Sequence, residues 1–230
     1  KLDVSGFENY KLHNGYELSL FNIQASIAND TEISSLVNVQ SRLTRFISRK
    51  LGLKNKSHFI EKDFTFDPHF IDIKRAVYID GYWQSYKYFE FIESQLRAEL
   101  TPKNYLSGLN LVISQQIGKV NAVSLHIRRG DYVKNQATNK VHGFLGIEYY
   151  KNAIQIMFSK VAEPYFFVFS DDIDWARKNL PLTNNVTFLD HNRGKSSFED
   201  MRLMSLCKHH IIANSSFSWW GAWLGQNPNK

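Results

Sequence analysis

The chain has 230 residues, 43% of them hydrophobic, with 28 Lys and Arg against 22 Asp and Glu for a formal net charge of +6. That is enough for one large domain or two modest ones, and the mild basicity fits a phosphate-bearing ligand or an anionic membrane surface without selecting either. The single cysteine, Cys207, rules out an internal disulfide and a multi-cysteine zinc site; no apolar run nears the ~20 residues of a membrane span, and none reads as a signal peptide.

In chain order, Ile33, Leu36, Val37, Leu43, Phe46 and Ile47 recur at near-helical spacing, which predicts an amphipathic helix over 31–50 with a basic end. A membrane-surface or nucleic-acid role is its sharper alternative. Residues 58–80 are aromatic and alternating, which predicts short strands and loops. Helices are expected over 86–100, stopped by Thr101-Pro102, and over 104–117. From residue 118 the rhythm becomes regular. Strands over 120–127, 164–169, 186–189 and 210–213 alternate with helices over 147–160, 173–180, 196–208 and 215–224, the third opening on a Ser196–Glu199 capping box. Apolar strands alternating with helices predict a parallel, doubly wound α/β sheet, whose ligands sit at the carboxyl ends of the strands.

Three motifs fall at such ends. HIRRGDY (126–132) puts two arginines beside a glycine that permits close backbone approach. Arginine stays protonated and grips a phosphate through two parallel hydrogen bonds, whereas two unpaired guanidiniums at a strand mouth are costly to desolvate. FSDDIDW (169–175) sets carboxylates directly after an apolar strand, where they can accept from a base or ribose. ANSSFSWWGAWL (213–224) runs a strand into a helix opening with Asn214, Ser215 and Ser216, and a hydroxylated helix start is an anion site. A nucleotide diphosphate satisfies all three together.

Plainer roles compete at each position. Asp131 can bridge Arg128 or Arg129 instead of acting in catalysis, and His126 can be a structural histidine. Asp172-Ile173-Asp174 spells a metal-binding carboxylate pair, yet Asp174 is better placed to cap the next helix. Trp219, Trp220 and Trp223 at helical spacing read as core. Ser215 and Ser216 can be no more than a cap, and the Asn214-Ser215-Ser216 sequon, pinned between strand and helix, is a poor glycan acceptor.

LHIRRGDYV, the FSDD after an apolar strand and MSLCKHHIIANSSFSWWGAWL together resemble the bacterial α-1,2-fucosyltransferases. Weaker similarity at LDVSGFEN, ELSLFNI and GYWQSYKYF extends the likeness over nearly the whole chain. The resemblance implies a GT-B-like fold, two Rossmann-like α/β domains with parallel sheets facing across a cleft. An acceptor-side domain would span 1–117, lacking the family's first strand and glycine-rich loop. A GDP-fucose-binding domain would span 118–230, short of the family's usual end. The implied reaction moves L-fucose from GDP-β-L-fucose to the 2-hydroxyl of a terminal β-galactose on a surface glycan, with inversion and with neither cofactor nor metal.

By carry-over, Arg128 contacts the pyrophosphate, His126 contacts GDP, and Asp172 reads guanine, with Arg129 also in the GDP-fucose-binding set. Asn214, Ser215, Ser216 and the backbone at Phe217 hold the β-phosphate. Asp131 leads His126, Glu199 and Asp200 as general base because it sits beside the arginines. The implied partners are GDP-fucose and a β-galactoside, without nucleic acid. The implied location is the cytoplasm, with peripheral contact at the inner membrane face where surface glycans are built. The rivals are a metal-dependent sugar-nucleotide transferase using Asp172 and Asp174, a non-catalytic glycan- or nucleotide-binding relic, and a nucleic-acid module. The last would need its basic residues in one stripe, whereas they are spread among acidic ones.

Overall fold

The computed structural model describes residues 1–8, 10, 14–37, 57–130 and 145–227. The chain divides into two units, Lys1–Asn104 and Tyr105–Lys230. The division precedes the expected boundary at 117 because the helix after it, Gly108–Lys119, packs within the second unit.

In the first unit, α1 (Asp30–Leu36) opens with a capping box in which Asn29 and Glu32 exchange side-chain and backbone hydrogen bonds. The rest of the helix expected over 31–50 lies outside the described residues. Two short strands, β1 (His58–Ile60) and β2 (Tyr78–Asp80), pair in parallel, His58 beside Tyr78. The expected helix over 86–100 is broken: 3-10 turns occupy Tyr86–Tyr88 and Glu90–Ile92, and only α2 (Glu93–Glu99) is α-helical. Of the aromatics in this stretch Tyr88 is buried in a cluster with Phe66, Phe70 and Trp83, whereas Tyr86 and Phe91 are exposed.

The second unit is the expected doubly wound sheet. Its elements are α3 (Gly108–Lys119), β3 (Asn121–Ile127), α4 (Ile147–Lys160), β4 (Pro164–Ser170), α5 (Ile173–Asn179), β5 (Val186–Leu189), α6 (Phe198–Leu206), β6 (His209–Ile211) and α7 (Ser216–Leu224). All four strands are parallel, in the order β5-β4-β3-β6. Side chains alternate across the pleat. Val123, Leu125, Ile127, Phe166 and Val168 therefore pack against Tyr150 and Ile154 of α4 and Ile173 and Ala176 of α5. Ala122, Phe167 and Phe169 pack on the other face with Ile113 and Ile117 of α3 and Leu203 and Met204 of α6. Phe166, Phe167 and Phe169 are wholly buried, each contributing about 1.5–3 kcal/mol. Cys207 is buried in the second cluster as a free thiol, its pKa pushed up by burial.

Three local expectations need correction. The expected Ser196–Glu199 capping box is absent: Gly194–Ser196 forms a 3-10 turn, α6 starts at Phe198, and Ser197 at its N-cap makes no side-chain capping bond. Asp172, not Asp174, caps α5, its Oδ1 accepting from the Trp175 amide at 3.3 Å. The three tryptophans of α7 are half-buried, Trp219 and Trp223 near parallel with Trp220 edge-on to both, and Trp219 and Trp223 line an open hollow of about 350 Å³ with Met157, His209, His210 and Ile212.

Candidate active site

Strand register determines which residues meet at the carboxyl edge. β3 and β4 pair with Ile127 beside Ser170, so the residues that follow emerge in step. Arg128 Nη1 lies 3.2 Å from Asp171 Oδ2, and Arg129 Nε 3.2 Å from Asp172 Oδ2. Asp171 also accepts from the backbone amides of Arg129 (2.9 Å) and Gly130 (3.0 Å). One carboxylate thus clamps the whole turn after β3. A Cβ at position 130 would lie 2.8 Å from that same oxygen, which accounts for the glycine.

The two arginines differ. Arg129 lies over the Trp175 ring, 3.8 Å from its centroid, with its side chain 15% exposed. The ring and Asp172 fix its plane. Arg128 is the more open of the pair, at 29% exposure, so it is the guanidinium that can meet a ligand. Asp172 is itself organised: its amide donates to Ser170 Oγ at 3.0 Å while its carboxylate serves Arg129 and the α5 amide. Among the described residues no group of three or more His, Cys, Asp and Glu is poised around a common point.

His126 is buried on β3, with its ring 5.6 Å from Phe217 of α7. Burial, reinforced by the Arg128 charge, pushes its pKa down to about 3. At neutral pH the imidazole is therefore uncharged and a weak proton acceptor, and among the described residues its Nδ1 has no hydrogen-bond partner. β6 pairs with β3 through Leu125 and Ile211, so the backbone after β6 reaches the same edge as Arg128. Asn214 is exposed there, as is Ser216, while Ser215 and Phe217 are half-buried. Ser215 stands at the N-cap of α7 without using its side chain as a cap. The first-turn amides of that helix have no partners within it, and its dipole is positive at this end.

The sheet therefore brings His126, Arg128, Arg129, Asp172, Asn214, Ser215, Ser216 and Phe217 to one edge. Asp131 lies outside the described residues. Glu199 and Asp200 sit on α6 instead: Glu199 faces Arg202 at 3.5 Å, and Asp200 accepts from Asn192 Nδ2 at 2.8 Å. Asn192 in turn bonds Asn110, which also bonds His191. The sequence alone assigns no role to this network or to Trp175, and it places Asp171 only among the carboxylates that follow β4. The signal for Asp171 was present: IRR and SDD end their strands in matching steps, a doublet of cations beside a doublet of anions.

Residues 21–229 match the family described as glycosyl transferase family 11. The chain is 38% identical over 236 aligned residues, 97% of its length and 77% of the relative's, to an α-1,2-colitosyltransferase of Escherichia coli. It is 44% identical over 110 residues, 48% of its length and 36% of the relative's, to the O-antigen biosynthesis glycosyltransferase WbnK of the same species. Against the galactoside α-(1,2)-fucosyltransferase 1 of Saimiri boliviensis boliviensis it is 25% identical over 154 residues, 64% of its length and 42% of the relative's. With a match spanning nearly all of its length, and with the strand-end motifs that resembled the α-1,2-fucosyltransferases inside it, this chain belongs to glycosyl transferase family 11.

Proposed function

We propose that this protein is an inverting, metal-independent transferase that moves L-fucose from GDP-β-L-fucose to the 2-hydroxyl of a terminal β-galactose on a surface glycan. The observation that carries this reading is the half-open Arg128 at the end of β3, beside the strand that leads into the uncapped start of α7. In the transfer, the galactose O2–C1(fucose) bond forms as the bond from C1 to the β-phosphate oxygen breaks. The hydroxyl proton goes to a base, for which Asp131 leads because it follows the arginine pair in the sequence. Negative charge grows on the leaving phosphate, where a fixed guanidinium and helix dipole act more strongly in the transition state than in the ground state. Asp172, already organised, has lone pairs left for a guanine edge. The whole would be a GT-B enzyme with the donor held by the second unit, acting in the cytoplasm at the inner membrane face. Among the described residues no helix is long and apolar enough to cross a membrane.

A second donor has its own support. The 38% identical relative is named for colitose, which lacks the 3-hydroxyl of fucose, so GDP-colitose belongs beside GDP-fucose in any assay. The test incubates radiolabelled donors with a panel of galactosides, with and without EDTA, for the wild type and Arg128→Lys. Transfer to a terminal galactose should persist in EDTA, and Arg128→Lys should lose on the order of 10²–10³-fold in turnover, since a point charge cannot reproduce the fork. Retention of more than about a tenth of the turnover would remove Arg128 from that role. Loss in EDTA would favour the metal-dependent alternative.

A further inference from the structure

The first unit contains a cavity of about 320 Å³ that the donor chemistry does not use. It is lined by Phe59, Trp83, Phe66 and Tyr88 on the apolar side, with Lys62, Asp63, Thr65 and His69 among its polar groups. The Phe59 and Trp83 rings lie 5.8 Å apart and only 30° from parallel. Phe70 and Tyr88 brace Trp83, with ring centroids at 5.2 and 5.1 Å.

Several features hold Trp83 in an unfavourable position. Its φ of 49° is left-handed, a region that bulky residues avoid. Its Nε1 is sealed from solvent and, among the described residues, has no hydrogen-bond partner. Glu61 fixes the segment by accepting from the amides of both Tyr82 (2.6 Å) and Trp83 (3.1 Å). Gly81 makes room for that carboxylate, because a Cβ there would overlap the Glu61 side chain. Strain and an orphan donor maintained by a dedicated clamp mark a position selected for something other than stability.

We infer that this cavity binds one pyranose ring of the acceptor glycan, the C–H face of the sugar lying on the Trp83–Phe59 platform and its hydroxyls meeting the polar rim. That the ring belongs to the acceptor rests on the transferase reading above; the cavity's affinity for a sugar does not. The volume sits at the lower end of ligand pockets, room for one ring. Flat aromatic surface supplies contact to C–H groups at little entropic cost, and Asp63, Lys62 and His69 offer both acceptors and donors to hydroxyls.

The test labels the protein with 5-fluorotryptophan, giving one ¹⁹F resonance for each of its five tryptophans; Trp83→Phe assigns the relevant one. Titration with methyl β-D-galactoside or lactose should shift the Trp83 resonance progressively and leave the other four in place. His69→Ala, exposed on the rim, should weaken that titration several-fold without altering thermal unfolding. Saturation transfer from protein to the glycoside, lost in Trp83→Phe and weakened in His69→Ala, gives the same reading without assignment. A silent Trp83 resonance at saturating glycoside would overturn the inference, and so would a shift produced by GDP alone, which would make the cavity a nucleotide site. GDP binding and sugar transfer measured on the same sample separate the two claims. Transfer with a silent Trp83 sinks only the cavity, whereas a titrating Trp83 without GDP binding sinks only the enzyme.

Discussion

Two neighbouring arginines at a strand end would repel each other and resist burial, and here each is given its own aspartate. The four charges Arg128, Arg129, Asp171 and Asp172 cancel. An incoming diphosphate must therefore compete with Asp171 for Arg128 instead of falling into a bare positive hole. That favours selective, geometry-dependent binding over mere attraction. A second carboxyl tells a different story. Burial pushes the Asp200 pKa up to about 7, against the lowering effects of the Asn192 hydrogen bond and the Arg193 charge, while Glu199 reinforces the rise. The folded state thus holds a proton that the unfolded chain, near its ordinary 3.8, has released. The stability Asp200 contributes is complete below pH about 4, is lost as pH rises through about 7, and is flat above. Asp200→Asn keeps the acceptor for Asn192 and removes the ionisation. Melting curves of wild type and variant should diverge between about pH 4 and 7, with wild type falling by several degrees relative to the variant, given ~2–4 °C per kcal/mol at this size. Curves that stay parallel across that range would show that Asp200 does not hold its proton.

Among the elements, the α6–α7 contact carries the most consequence, because α7 brings its N-terminus to the sheet edge that carries Arg128. Gly221 permits it: a Cβ there would stand 2.9 Å from Met204 Cβ and 3.2 Å from its Sδ. Met204 Cβ is fixed to its own helix, so Gly221→Ala must push the helices apart. It should destabilise by about 1–3 kcal/mol and raise the KM for donor, read by thermal unfolding and initial rates; an unchanged melting point would show that the helices slide freely. The elements themselves were largely legible in advance. Strands β3 to β5 and helices α4, α5 and α7 fall within a residue or two of their sequence patterns, since a fully buried parallel strand reads as a continuous apolar run. What escaped notice depends on tertiary register. Nothing local to Asp171 says that it will face Arg128; only the pairing of Ile127 with Ser170 does. Likewise Ser196 and Glu199 carry capping-box spacing, but the 3-10 turn at Gly194–Ser196 moves the helix start past them. The stripe over 86–92 has helical composition, yet Tyr88 is needed inside, where its hydroxyl accepts from the Asp67 amide and donates to Thr65 O.

On the scale of the whole molecule, the two units divide chemistry of different kinds. The second concentrates paired charges and a helix start at one sheet edge; the first offers a strained aromatic platform with a mixed polar rim. A nucleotide diphosphate suits the former and a neutral sugar ring the latter, so each ligand should leave its mark on one unit. Hydrogen–deuterium exchange tests this directly, because a ligand that binds only the native state suppresses local opening around its site. Saturating GDP should protect the amides of 126–130, 171–175 and 214–218, and at about 100 times Kd add roughly 2.7 kcal/mol to global stability. Peptides covering 58–70 and 78–88 should exchange unchanged with GDP and slow only when a β-galactoside is added. Comparable protection of both sets by GDP alone would mean that the nucleotide engages the first unit as well. In that case the aromatic platform and the arginine turn would serve one ligand, and the separate assignment of donor and acceptor to the two units would be wrong.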